Sequence, residues 1–223
     1  MIVLDRVTAF AIGNGKPRKV LSSVSVALPA NRRIAVLGTS SDDAKTLINI
    51  IAGKTLPVSG SVIRKARVSY PVGDVTGFDI DMTVRSNVAY VARLYGADVE
   101  STVAFVKRSS RLGPAFERKF RNLGRQERTM LGQILTYSIP FDLYLLNQDF
   151  TALRNPPPNV TALLDARIAQ SAGIIAAVGV PKFGRERCEM GLVIHMGQLF
   201  PFADFEEALY TLNQLKKEKS AAR

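Results

Sequence analysis

One juxtaposition restricts the fold of this chain more than any other: the apolar run "RRIAVLG" (Arg32–Gly38) passes through "GTSSDDAKT" (Gly38–Thr46) into the helically spaced "LINIIAG" (Leu47–Gly53). A short buried strand, a loop and a helix that stops at a glycine follow one another without a linker. A phosphate-binding loop belongs in that place. Its pattern asks for Gly, four residues, then Gly-Lys-Ser/Thr, because glycines let backbone N–H groups approach phosphate oxygens, the lysine reaches the outer phosphates and the hydroxyl ligates Mg²⁺. Here Gly38 is retained and little else.

The remaining pattern alternates strands and helices. "KVLSSVSVALP" has the period of two of a half-buried strand, and "SVIRKARVSYP", after a turn at "LPVSG", reads as further strand. Two helices are predicted in "TVRSNVAYVARLYG" and "VESTVAFVKRSSRLG", ending at Gly96 and Gly113. A helix over Arg128–Ile139 then feeds the apolar strand "FDLYLLNQ". Past a Pro-rich break at Leu153–Val160 come a helix over Thr161–Ala172, the buried strand "GIIAAVGV", a hairpin-like "MGLVIHMGQLF" and a terminal helix from Asp204. No internal repeat is visible.

Composition bears on partners and compartment. Of 223 residues 47% are hydrophobic, enough for one sizeable core, and the single cysteine, Cys188, excludes an intrachain disulfide framework. With no charged-then-apolar leader and no apolar run near the roughly 20 residues of a bilayer span, a cytoplasmic address is expected, soluble or peripheral on the inner face of the membrane. The net charge of +11 attracts anionic partners. Basic residues concentrate in Val106–Arg128, interleaved with Phe116 and Phe120, and in the tail "QLKKEKSAAR". A solvated helical face or an anionic membrane surface accounts for them better than nucleic acid, since no nucleic-acid module accompanies the charge. His195 is the only histidine, with no metal-ligand cluster near it, and is expected to be structural or exposed. Cys188 reads as a small apolar side chain.

A strand, loop and helix near the start, with an apolar strand ending in a polar pair about a hundred residues later, is the layout of a P-loop ATPase. The chain resembles the nucleotide-binding subunits of ABC transporters, in the branch that exports capsular polysaccharide and O-antigen. The passages that carry the resemblance span about residues 1 to 210: "VLSSVSVALPANRRIAVLG", "LINIIAGKTLPVSGSV", "VSYPVG" with "MTVRSNVAYVARLYGAD", "FDLYLLNQ", and "CEMGLVIHMGQL" with "FEEAL". The resemblance implies an α/β, P-loop NTPase-like ABC ATPase fold with a mainly parallel core sheet, an antiparallel β subdomain and a helical subdomain. It implies a single domain over residues 1–223, with its core at about 1–70 and 140–210, the helical subdomain at about 80–138 and a basic C-terminal helix at about 204–223.

The same resemblance locates what is missing. An ungapped reading places Ala44 at the loop lysine, Lys45 at the Mg²⁺-binding hydroxyl, and Ser41 and Asp43 at the central glycines. A rival reading inserts one loop residue and makes Lys45 and Thr46 the Lys-Thr pair, shifting the apolar face of the helix. In either case Asp42 and Asp43 lie near the place of a triphosphate, where like charges at about 4 Å repel by roughly 1 kcal/mol in water and roughly 4 at intermediate dielectric. Asn147 and Gln148 take the places of the aspartate that holds Mg²⁺ and the glutamate that activates water. Neither can take a proton, and Asn replaces a carboxylate poorly on Mg²⁺. Gly124-Arg125-Gln126-Glu127 stands for the signature and lacks its serine, and Gly179 stands for the switch histidine. Phe10, near the position where the family stacks an aromatic on adenine, reads as a core residue. The expectation is a pseudo-ATPase with no catalytic or metal-binding residues and with ATP and Mg²⁺ binding weak or absent. It would partner a membrane permease or other export machinery, received near the segment matching Tyr70–Tyr95, and an active ATPase paralogue. The alternative is a soluble scaffold or ligand-binding regulator outside transport.

Overall fold

Ile34, Ala35, Val36 and Leu37 are all buried, which leaves no polar alternation and marks a strand covered on both faces. In the computed structural model, which describes residues 1–13, 16–147 and 158–221, this strand is β3 (Arg33–Gly38). It lies inside a six-stranded sheet together with β5 (Val68–Pro71), β6 (Leu143–Leu146), β7 (Gly173–Ala177), β8 (Met190–His195) and β9 (Gln198–Phe202). The order is β5-β6-β7-β3-β8-β9, parallel throughout except for the β8–β9 hairpin. β6 and β7, read as "LYLL" and "GIIAA", are buried along their whole length. A second, antiparallel sheet has the order β2-β1-β4, from β1 (Ile2–Gly13), β2 (Lys16–Leu28) and β4 (Ser59–Arg64). The fold class expected from the resemblance is the one observed, and the helical part follows below.

The chain divides into two compact units: one of Met1–Pro71, Phe141–Arg154 and Ser171–Arg223, the other of Val72–Pro140 and Asn155–Gln170. In the first, α1 (Ser41–Ala52) contributes Leu47, Ile48 and Ile51 to one core cluster with residues of both sheets. Fully burying such a side chain stabilises by about 1.5–3 kcal/mol. The helix ends where Gly53 takes the left-handed conformation (φ 78°) and donates its N–H to Asn49 and Ile50 carbonyls. Arg64, from β4, donates to the carbonyls of Ile51 at 2.6 Å and Ile50 at 2.8 Å, so a guanidinium caps the negative end of the helix dipole. α6 (Pro181–Arg187) and α7 (Phe205–Ala221) complete this unit, and Phe205, Ala208, Leu209 and Leu212 of α7 form a second cluster with Ala35, Leu37 and Val193. α6 was not foreseen: its seven residues are too few to show an apolar period.

The second unit contains α2 (Val84–Leu94), α3 (Val99–Ser110), α4 (Arg125–Ser138) and α5 (Pro158–Ala169). α2 and α3 are capped by Thr83 and Asp98, each accepting a backbone N–H from three residues on. α4 starts three residues before the expected Arg128, because Gly124 donates its N–H to Glu127 at 2.8 Å in a capping contact. α5 also starts and ends earlier than the expected Thr161–Ala172: proline is favoured in the first turn, and Ser171 leaves the helix in a left-handed conformation (φ 65°). The single strand expected in "SVIRKARVSYP" is two strands, β4 and β5, which enter different sheets. Phe116 and Phe120 are buried, so the basic residues of 106–128 surround these rings instead of alternating with them at the surface.

Candidate functional site

Gly38 ends β3, an interior strand, at its C-terminal end, and only Thr39 and Ser40 separate it from α1. Ser40 is extended (φ −135°, ψ 149°) and its hydroxyl accepts the N–H of Asp42 at 3.4 Å. Asp43 completes a capping box by accepting the Ser40 N–H at 3.0 Å through Oδ2. The same oxygen accepts the Thr39 hydroxyl at 3.4 Å, and Oδ1 accepts Nη2 of Arg18, from β2, at 2.5 Å. The Asp43 carboxyl is 2% exposed, whereas the arginine side chain is 44% exposed. Asp43 therefore brings no unbalanced charge to the loop, and the expectation from sequence missed this because Arg18 lies 25 residues away on a different element. No local pattern points to it: the first four residues of β2, Lys16 to Lys19, are all exposed and do not alternate.

The other expected residues are dispersed over several elements. Ala44 is buried in the core cluster together with Leu47 and Ile48. Lys45 is exposed, and the Thr46 hydroxyl donates to the Asp42 carbonyl one turn back at 2.7 Å. Asp42 is half-buried. Gly179, exposed after β7, comes to the loop: together with Gly38, Thr39, Ser40, Asn213 and Lys216 it lines a small cavity of about 190 Å³. Asn147, half-buried, follows β6, and Gln148 lies outside the described residues. Gly124 and Glu127 cap α4 in the second unit.

A larger cavity of about 590 Å³ opens on the other side of Asp43, lined by Arg18, Lys19, Thr39, Asp43, His195 and Glu218 among others. His195 is half-buried on its wall, a role its isolation in sequence did not suggest. Phe10 departs from the expected core position: it is 41% exposed, with Nζ of Lys19 5.9 Å above its ring. A ring on the outward face of β1 has no facing layer to bury it. Burial pushes the Cys188 thiol up to about 12, with the neighbouring Arg33 opposing, so it stays protonated as a small apolar group. Among the described residues no three His, Cys, Asp or Glu side chains gather in a way that could hold a metal ion, and no helix is long and apolar enough to cross a membrane.

No protein-family model matches the chain. It is 29% identical over 153 residues to the polysialic acid transport ATP-binding protein KpsT of Escherichia coli, an alignment covering 68% of this chain and 63% of that protein. It is 24% identical over 211 residues to the ATP-binding protein BexA of Haemophilus influenzae, covering 90% and 92%. The capsule polysaccharide export ATP-binding protein CtrD of Neisseria meningitidis is 23% identical over 226 residues, covering 96% of this chain and all of that protein. Among solved structures, a dimeric ATP-binding cassette in a post-hydrolysis state bound to ADP and Pi superposes with a TM-score of 0.69 at 14% identity, covering 89% and 96%. A putative metal-chelate type ABC transporter in an inward-facing conformation gives 0.68 at 14% identity, covering 96% and 88%. This chain has the ABC ATPase fold, and its sequence relatives are ATP-binding proteins, two of them named for polysialic acid transport and for capsule polysaccharide export.

Proposed function

We infer that the chain is a non-hydrolysing, ABC-ATPase-like subunit or regulator in capsule-type polysaccharide export, acting through protein contacts. One observation carries the reading: the loop between β3 and α1 carries the buried carboxylate of Asp43, paired with Arg18, where a phosphate-binding loop has a glycine. Residues around it agree. Ala44 has no ammonium to offer, Lys45 points to solvent, and Asn147 is a weak Mg²⁺ ligand. The residues present do not fit ATP·Mg²⁺. The relatives' names supply the export context.

On this reading the working part is a surface. In the second unit Ile80, Met82, Tyr90 and Leu94 are 53, 39, 51 and 63% exposed, within the segment expected to receive a permease. Their exposure makes this segment the candidate contact surface on the proposed reading. The protein would then work at the inner face of the membrane, beside a permease and an ATPase that does hydrolyse. A second reading, a ligand-binding regulator outside transport, is favoured by the cavity of about 590 Å³ with Arg18, Lys19 and His195 on its wall.

The test is thermal unfolding with and without ATP·Mg²⁺. A ligand bound only by the folded state stabilises by RT ln(1 + [L]/Kd), so millimolar ATP at a micromolar site adds about 4 kcal/mol and raises Tm by several degrees. No shift and no phosphate release are expected, and a clear rise in Tm would overturn the reading. Co-purification from native membranes separates the two roles: a permease and an intact ATPase are expected with the chain, and their absence favours the ligand-binding regulator.

A further inference from the structure

A capping box accounts for the contact between Asp43 and the Ser40 N–H. It does not account for Arg18, which comes from another sheet to meet the same carboxylate, nor for the depth at which an acid of the first helical turn is held. Three donors of different kinds converge on Asp43: a backbone N–H, the Thr39 hydroxyl and a guanidinium. That is the donor set an oxyanion takes in a protein. The seat is also full by volume. A Cβ added to Gly38 would stand 2.7 Å from Asp43 Cβ, so the acid packs directly on the glycine backbone.

Resting on the reading of the loop as one that does not take ATP, we propose that Asp43 is an internal ligand: its carboxylate occupies an oxyanion seat built by Ser40, Thr39 and Arg18 and keeps external phosphate out. The neighbouring cavity is consistent with such a lock. Arg18 and Lys19 on its wall are balanced by Asp43 and Glu218, and removing Asp43 leaves the cations in excess. Asp43 therefore sets the sign of the cavity as well as the occupancy of the seat. The chemical class admitted once it is gone is a small phosphate oxyanion, inorganic phosphate or pyrophosphate.

The experiment uses the full chain, inorganic phosphate and pyrophosphate as probes, and titration calorimetry and melting at low salt. Wild type is expected to bind neither probe at about 10 mM, whereas Asp43→Ala gains binding and a Tm increase of several degrees at that concentration. The double variant Arg18→Gln/Asp43→Ala is expected to lose at least about tenfold of the gained affinity. If Asp43→Ala does not fold, Asp43→Ser vacates most of the seat and releases Arg18 while keeping a hydroxyl in the first turn of α1, and is expected to gain weaker binding. A folded Asp43 variant that stays silent overturns the internal ligand and leaves the ATP reading standing. Equal binding by wild type and variant also overturns it. ATP binding by wild type overturns the ATP reading itself.

Discussion

The amide of Asn87 is 1% exposed and makes three hydrogen bonds: Nδ2 donates to the Asp79 carbonyl at 2.8 Å and the Thr83 carbonyl at 3.1 Å, and Oδ1 accepts the Asp79 N–H at 2.8 Å. It ties the loop before α2 to the helix. Asn87→Ala strands those backbone groups, and a loss of roughly 1–3 kcal/mol in chemical denaturation is expected. Lys45→Ala is the contrasting case, an exposed side chain, expected to change stability by less than about 0.5 kcal/mol. Among the described residues the double variant Lys45→Ala/Thr46→Ala loses the bond to the Asp42 carbonyl, and on the proposed export reading it is expected to leave export intact at normal abundance. Loss of function in a folded, abundant double variant would show that these two residues do the work of a Lys-Thr pair.

At the scale of elements, Glu117 joins three segments. It accepts from Arg85 of α2 at 2.9 Å and from Lys107 of α3 at 2.9 Å, beside the buried ring of Phe116. The hydrogen bonds from Arg85, then Lys107, bring its carboxyl down from 4.5 to about 2. A depressed folded-state value means that the triad stabilises fully above pH 4.5 and that the contribution is lost as pH falls through about 2. Glu117→Gln should therefore be less stable than wild type at neutral pH, by a modest amount because the groups are exposed, and the two should converge in acid. Urea melts between pH 2 and 7 check the convergence.

The elements themselves divide by how local their causes are. β3, β6 and β7 were legible because strands buried on both faces are apolar without interruption. α2, α3 and α7 carried caps and periodicity within a single window. The split of β4 from β5 was not legible, since sheet membership is decided by partners far along the chain. The candidate site shows the same division. The places of Gly38, Ala44 and Asn147 could be read in order along the chain, while the Arg18–Asp43 pair is a contact between elements that no local pattern announces.

At the scale of the molecule, the net charge of +11 is distributed unevenly among paired and unneutralised groups. In the basic stretch Lys107 meets Glu117, and Lys119 and Arg121 meet Asp81, while Arg108, Arg111, Arg118 and Arg125 are exposed. Each cation near an anionic membrane contributes roughly 1 kcal/mol, decaying within a Debye length. Weak sedimentation with anionic vesicles, absent with neutral ones and abolished by salt, is expected; equal sedimentation with both would refute it. On the reading of the chain as non-hydrolysing, nucleotide should not drive pairing of two copies. Sedimentation velocity with and without ATP·Mg²⁺ checks this, a monomer-to-dimer shift being the contrary result.

Helix α1 is gripped at both ends by arginines of one sheet: Arg18 of β2 through Asp43 at the start, Arg64 of β4 through the last carbonyls. Twelve residues make a rod about 18 Å long. A rod fixed at two points to the same plate resists sliding along its axis, so its first and last turns are held in register with the two outer strands of that sheet. Releasing either arginine frees one end only, so Arg18→Ala should quicken amide exchange in the first turn of α1 and Arg64→Ala in its last turn, with the buried middle unchanged.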